Sequence, residues 1–329
     1  MTRHASVASP TPRIRRHRVL FALLLAWPGS SWGDSLVLVS DLNGRYGSTS
    51  YHQRVDQAAA TIVNLQPDLV VSAGDMVAGQ APTGLQDETL EAMWAAFAES
   101  FIEPLTSAQI PFAITAGNHD GSAYPGFERD RKAFERHWRD RAPPGLLPGS
   151  EWPWRYAMRQ GGLLAITFDG TLPGVVPVRE RDFVAKMLAT HGESAVWTVV
   201  WSHLPFWPLA QNREREIIRD TGFLDLLHEH GVDAYVSGHH HLYFAGVDEA
   251  GMLHVSVAAL GGNARRFATG GERQGPGLAT LKLHNGQLAV EGRLAPEFRS
   301  AVAPESLPKT IRGSAGTLRR VEGPVSLRN

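Results

Sequence analysis

"AYVSGHHHLYFAG", residues 234 to 246, sets three histidines behind an apolar run and a glycine. If that run is a β-strand and its alternation persists, His239 and His241 share one face and His240 points to the other. Two imidazoles then converge on one point. Such a pair is either a metal site or a coincidence of a polar loop, and the rest of the chain decides which.

Working outward from residue 237, further apolar runs bounded by turn residues predict strands at "SLVLVS" (35–40), "DLVVSA" (68–73), "PFAITA" (111–116), "LLAITF" (163–168) and "VWTVVW" (196–201), besides "DAYVS" (233–237). Helical spacing lies between them, over 51–65, 85–101, 127–140, 179–190 and 213–230. The alternation implies an α/β fold whose Val-, Ile- and Leu-rich strands are buried on both faces. After His241 the pattern turns to hairpins, one of them reversing at Asn285-Gly286. From residue 295 Pro, Ser, Gly and Arg recur without period, which predicts a poorly ordered tail over 295–329.

The polar residues that follow these strands carry the functional reading. Asp41 and Asn43 follow the first run, Asp75 the second, Asn118, His119 and Asp120 the third, His203 the fifth, and His239 and His241 the last. In open α/β sheets the carboxyl ends of strands are where ligands bind, so residues two hundred positions apart can meet there. Each has an ordinary explanation alone: Asn43-Gly44 is a common turn pair, and a lone His203 is commonly a hydrogen-bonded loop residue. Jointly, five apolar runs would have to end in metal-ligand chemistry by accident. His240 reads as a solvent or outer-sphere residue, Asp169 as a turn, and His52, His191, His228 and His230 as surface residues of helices.

"SDLNG" (40–44), "AGDMV" (73–77), "AGNHD" (116–120), "WSHLP" (201–205) and "SGHHH" (237–241), in that order, resemble the motif series of the calcineurin-like metallophosphoesterase superfamily. The resemblance spans about residues 36–262. It implies a four-layer αββα sandwich of two mixed sheets, with metal-binding loops at the C-terminal ends of the strands. Carried over residue by residue, it implies two divalent ions (Mn, Fe, Zn or Mg): Asp41 and His241 on one, Asn118, His203 and His239 on the other, Asp75 between them. Attack on a small phosphomonoester or phosphodiester by a metal-bridging hydroxide is the implied reaction, with His119 as proton donor to the leaving group. Mostly neutral ligands suit that task, because two carboxylates leave the pair of ions a positive surplus for a phosphate.

One position departs from the pattern. Asn43 stands where most of the superfamily has histidine, and an amide oxygen favours harder ions than imidazole does. It is a candidate ligand nonetheless, with Tyr46 or His52 as possible substitutes. "GDMVAG" lacks the tyrosine ligand of purple acid phosphatases. Trp207, Arg265 and Arg266 are candidates for contact with the phosphate or the leaving group. A catalytically silent, metal-binding envelope protein of the same fold is the rival reading.

Composition bounds the remainder. The 329 residues include 33 Gly, 21 Pro and no Cys, so cysteine-ligated zinc and disulfides are excluded. Arg13, Arg15, Arg16 and Arg18 precede the apolar "VLFALLLAW" (19–27), and small residues follow at Ser31 and Gly33. This fits an export signal over residues 1–33 and a periplasmic or secreted protein, with no membrane span once the signal is removed. Loss of that segment takes the formal charge from −1 to roughly −6, against a nucleic-acid partner. The main domain is expected over 34–294, and the sequence does not give an oligomeric state.

Overall fold

Residues 35–328 are described by the computed structural model; the expected export signal lies outside them. The first half runs β1 (Ser35–Val39), α1 (Gln53–Leu65), β2 (Leu69–Ser72), α2 (Asp87–Phe97), α3 (Glu103–Ser107), β3 (Phe112–Ile114), α4 (Asn118–Gly121) and α5 (Glu128–Trp138). The chain continues through β4 (Tyr156–Gln160), β5 (Leu163–Thr167), α6 (Val178–His191), β6 (Trp197–Trp201), α7 (Thr221–Glu229) and β7 (Ala234–Ser237). It closes with β8 (Phe244–Val247), β9 (Leu253–Ser256), β10 (Arg265–Phe267), β11 (Gly270–Gln274), β12 (Gly277–His284), β13 (Gln287–Leu294), β14 (Thr310–Gly313), β15 (Gly316–Arg320) and β16 (Val325–Ser326).

Two mixed sheets result, of order β16-β13-β12-β1-β2-β3 and β14-β15-β8-β9-β7-β6-β5-β4. Alternation within β1 shows how they stack. Leu36 and Leu38 pack in one apolar cluster with Tyr156, Ile166 and Val200 of the second sheet, while Val37 and Val39 pack in another with Val55 and Ile62 of α1 and Trp94 of α2. Helices α6 and α7 add Val184, Phe223 and Leu227 to the cluster of the second sheet. The layers are therefore helix, sheet, sheet, helix, as expected, and every core strand is apolar on both faces because both faces are covered.

Strands β1, β2 and β3 are mutually parallel, as are β5, β6, β7 and β9, so the connections that follow them gather at the sheet ends. The β12–β13 hairpin turns at Asn285 and Gly286, both at positive φ (51° and 73°), as a tight two-residue turn requires. Strand β4, at the edge of the second sheet, was not among the predicted strands.

Two expectations are corrected. The helix predicted over 213–230 is confined to Thr221–Glu229, where the Asp220 side chain caps it by accepting from Phe223 N (2.9 Å). Residues 211–220 form turns instead, stitched by Glu216 N to Arg213 O (3.0 Å) and Ile218 N to Pro205 O (2.9 Å). The segment 295–328 is no loose tail. Its β14–β15 hairpin pairs with β8, and β16 pairs with β13, so it covers the edges of both sheets. An uncovered edge exposes a row of unpaired N–H and C=O groups, and this segment satisfies them. Its own Phe298, Ile311 and Leu318 are buried.

Candidate metal centre

The loops after β1, β2, β3, β6 and β7 carry the residues singled out in the sequence, and backbone hydrogen bonds fasten the loops to one another. Asp41 N donates to Gly74 O (2.9 Å), Leu42 N to Asp75 O (2.8 Å) and Gly238 N to His203 O (2.9 Å). The Asp120 carboxylate accepts from Met76 N, Val77 N and Gly117 N (2.7, 2.9 and 2.8 Å), joining the second loop to the third. Burial and the nearby Asp75 push its carboxyl up to about 8.

Four of the seven candidate ligands, Asp41, Asp75, His239 and His241, have φ between 51° and 62°. Residues other than glycine rarely adopt that region, and they persist there when the surroundings enforce it, typically at functional sites. His239 and His241 do face the same site and His240 does not, but the cause is a pair of left-handed residues after the strand has ended at Ser237, not strand alternation. His240 is fully buried, so the solvent reading is corrected: its Nδ1 accepts from Leu209 N and Ala210 N (3.1 and 3.3 Å).

Glycines permit the close approach of these loops. A Cβ on Gly117 would lie 2.1 Å from Asp75 Oδ1, and one on Gly238 would lie 2.9 Å from Asp41 Oδ2.

Asp75, His203 and His239 bring one ligand atom each to within 4.8 Å of one another. His203 Nε2 stands 3.3 Å from Asp75 Oδ2, 3.0 Å from Asn118 Oδ1 and 3.1 Å from His239 Nδ1. Beside them His241 Nε2 lies 3.1 Å from Asp41 Oδ1. The outer partner of each group fixes which atom faces inward. His203 Nδ1 donates to Ala73 O (2.8 Å), His241 Nδ1 to Asn263 O (3.3 Å) and His239 Nε2 to Glu216 Oε2 (2.7 Å). Asn118 Nδ2 donates to Gln80 Oε1 (2.6 Å), which turns its oxygen toward His203. With the outer nitrogen of each ring and the Asn118 amide nitrogen committed outward, lone pairs are left facing lone pairs and carboxylate oxygens.

Such an array of acceptors is stable around a cation. Asp41 Oδ1 is buried and has no hydrogen-bond partner among the described residues, although Oδ2 accepts from Ser40 Oγ (2.7 Å) and His239 N (3.0 Å). The donor set of carboxylate, imidazole and amide oxygen suits divalent first-row metals and magnesium. The same demand for positive charge shows in titration. Burial of the His203 ring opposes a charge, yet the Asp75 carboxylate beside it pushes His203 up to about 9. Asp41 and Asp75, which burial alone would raise, are held below the usual carboxylate range by His241 and His203 respectively.

The remaining candidates fall as follows. Asn43 is buried in the first loop and donates its N–H to Asp75 O (3.2 Å); its side chain makes no hydrogen bond among the described residues. His119 is half-buried, its backbone N–H on Asp75 Oδ1 (2.8 Å) and its ring Nδ1 on Gly79 O (2.8 Å), so Nε2 is the free ring nitrogen. The exposed Tyr46 ring lies 5.4 Å from the His119 ring, and His52 caps α1 instead of joining the site. Trp207 is buried, its indole N–H on Gly316 O (3.1 Å), so it packs and is no substrate contact. His228, expected at the surface, is half-buried and pairs with Asp248 (2.8 Å). Asp169 accepts in a turn from Thr171 and pairs with Arg131 (2.7 Å). Glu216 and Gln80 escaped the sequence reading: Glu216 sits in the stretch assigned to a helix, and no local pattern marks either.

The pattern of calcineurin-like phosphoesterases matches residues 35–243, which contain all seven candidate ligands and His119. The chain belongs to that family. Solved structures of similar fold include a purple acid phosphatase from yellow lupin (Lupinus luteus), at 16% identity and a TM-score of 0.61, covering 82% of this chain and 52% of the lupin one. This chain thus spans about half the length of the lupin enzyme. A dimetal phosphatase from Danio rerio is similar at 13% identity and a TM-score of 0.53, over 78% of this chain and 95% of that one. GAP50, described as the anchor in the inner membrane complex of Plasmodium, is similar at 13% identity and a TM-score of 0.55, over 90% and 89%. These likenesses concern the fold. No curated protein matches this chain in sequence. Among the described residues of this calcineurin-like phosphoesterase, no helix is long and apolar enough to cross a membrane.

Proposed function

We propose that this protein is a binuclear-metal phosphoesterase acting on a small phosphomonoester or phosphodiester. A fold shared with an anchor protein does not settle catalysis, so the reading rests on the site. Its principal support is the inward-facing set of acceptors on His203, His239, Asn118, Asp75, Asp41 and His241, whose donors are all committed elsewhere.

Asp41 and His241 would hold one ion, with Asn43 available to it, and Asn118, His203 and His239 the other, with Asp75 reaching both. Divalent ions held by these residues would lower the pKa of a bound water and offset the charge that builds on the phosphoryl group. Asp41 and Asp75 supply only two negative charges, which favours binding of an anionic ester. His119 acts as proton donor to the leaving group from Nε2, the nitrogen that Gly79 leaves free. A cavity of about 250 Å3, bordered by Asn118 and His239 and by Gln80, Tyr124 and Thr171, supports a small leaving group. The arginine-led apolar run of residues 13–27 supports export, which N-terminal sequencing of protein recovered from outside the cytoplasm would check.

Metal analysis with a turnover assay tests the reading. The purified protein is expected to hold two ions per chain and to cleave p-nitrophenyl phosphate or bis-p-nitrophenyl phosphate with manganese. One tightly held ion with turnover of neither compound would favour the silent rival, for which Asn43 is the best argument.

A further inference from the structure

Strand β10 reads Arg265-Arg266-Phe267, and burial alternates along it: Arg265 half-buried, Arg266 exposed, Phe267 buried. Phe267 bridges to Ala210 and anchors the strand. Arg265 consequently faces the metal centre. Its Nη1 donates to the carbonyl of His239 (3.0 Å), and its Nη2 lies 3.4 Å from His241 Nε2, the atom that faces Asp41.

This guanidinium is in no ion pair among the described residues, whereas the neighbouring Arg213 is neutralised by Glu216. A guanidinium carries five N–H donors in a planar fork, and here only the one on His239 O is well used. A half-buried cation without a counter-ion is costly unless an anion completes it. The contact with His241 weakens further when that Nε2 turns its lone pair to an ion. Nη2 is then left without an acceptor among the described residues.

We propose that Arg265 binds the phosphoryl group of the substrate and of the phosphate product, holding two of its oxygens over the metal centre. This rests on the phosphoesterase reading above. The geometry suits it, since Arg forms parallel N–H···O contacts with phosphate oxygens that a Lys cannot reproduce. It also separates two neighbours that the sequence leaves equivalent, because Arg266 points away.

The test is calorimetric binding of inorganic phosphate to the manganese-loaded protein, with metal content measured in parallel. Arg265→Met is expected to weaken phosphate binding about 10- to 100-fold with manganese content unchanged. Arg265→Lys should recover part of the loss, and Arg266→Met should match the unaltered protein. Equal phosphate affinity in Arg265→Met would overturn the proposal. So would loss of manganese from that variant, which would make Arg265 a support for His239 and His241. A wild-type protein that takes up neither manganese nor phosphate would overturn the phosphoesterase reading itself; wild-type binding with an unaffected Arg265→Met strikes only the arginine's role.

Discussion

Replacement of Glu216 by Ala isolates the device that points His239 inward. The carboxylate accepts from His239 Nε2 at 2.7 Å and is also held by Arg213. Burial would raise the Glu216 carboxyl, but the His239 hydrogen bond and Arg213 bring it down to about 2, and burial brings His239 down to about 4. At pH 7 the pair is thus carboxylate and neutral imidazole, with the hydrogen on Nε2 and the lone pair on Nδ1 facing His203. Without the carboxylate the ring is free to take the other tautomer, placing a hydrogen where the ion must bind. Outer partners of this kind are worth about 10- to 100-fold in metal affinity, or roughly 1.4–2.8 kcal/mol. Glu216 is 38% exposed, so solvent competes for the hydrogen bond and the effect should fall near tenfold, the lower end of that range. Titration of metal-free protein with manganese against a competing chelator should show one of the two sites weakened by that factor. The other site should be unchanged, because Asp41 and His241 do not touch Glu216. Two dissociation constants equal to those of the unaltered protein, or two weakened alike, would refute the reasoning.

Three further outcomes follow from the same geometry. His119→Ala should slow hydrolysis of an alkyl phosphate by about 10²- to 10⁴-fold and that of p-nitrophenyl phosphate far less, since p-nitrophenolate leaves without a proton; equal losses on both esters would remove the acid role. Arg155→Met should cost about 3–5 kcal/mol in urea unfolding, because it strands Glu180, only 6% exposed, whose two oxygens accept from Arg155 Nε at 3.0 and 2.9 Å; adding Glu180→Leu should recover much of the loss. His137, stacked on Trp94 at 4.7 Å, is brought down to about 3 by burial and by Arg141. The unfolded chain therefore binds a proton below about 6.5 that the folded one refuses until about pH 3, so stability present above 6.5 drains as pH falls, by up to roughly 1.4 kcal/mol per unit. His137→Phe should flatten that part of the pH profile, and an unchanged slope would contradict the assignment.

The sequence exposed the strands that form both sheet centres because those runs are apolar on two faces, as Leu36, Val37, Leu38 and Val39 illustrate. It also exposed the ligand loops, since Asp, Asn and His recur after strand after strand. It hid what depends on distant pairing. Strands β14 and β15 have one core residue each, Ile311 and Leu318, too few to show a period, and their order comes from the free edge at β8. Glu216 looked helical because charged residues at 213–216 fit a solvated helix face; tertiary hydrogen bonds to Pro205 and His239 prevail there. The left-handed conformations of His239 and His241 have no sequence signal, as neither is glycine.

The most direct measurement is anomalous scattering from a crystal of the manganese-loaded protein. Two peaks are predicted, one reached by Asp41 Oδ1 and His241 Nε2, the other by Asn118 Oδ1, His203 Nε2 and His239 Nδ1, with Asp75 in contact with both. Peaks elsewhere, or none within bonding distance of His203 and Asp41, would contradict the account.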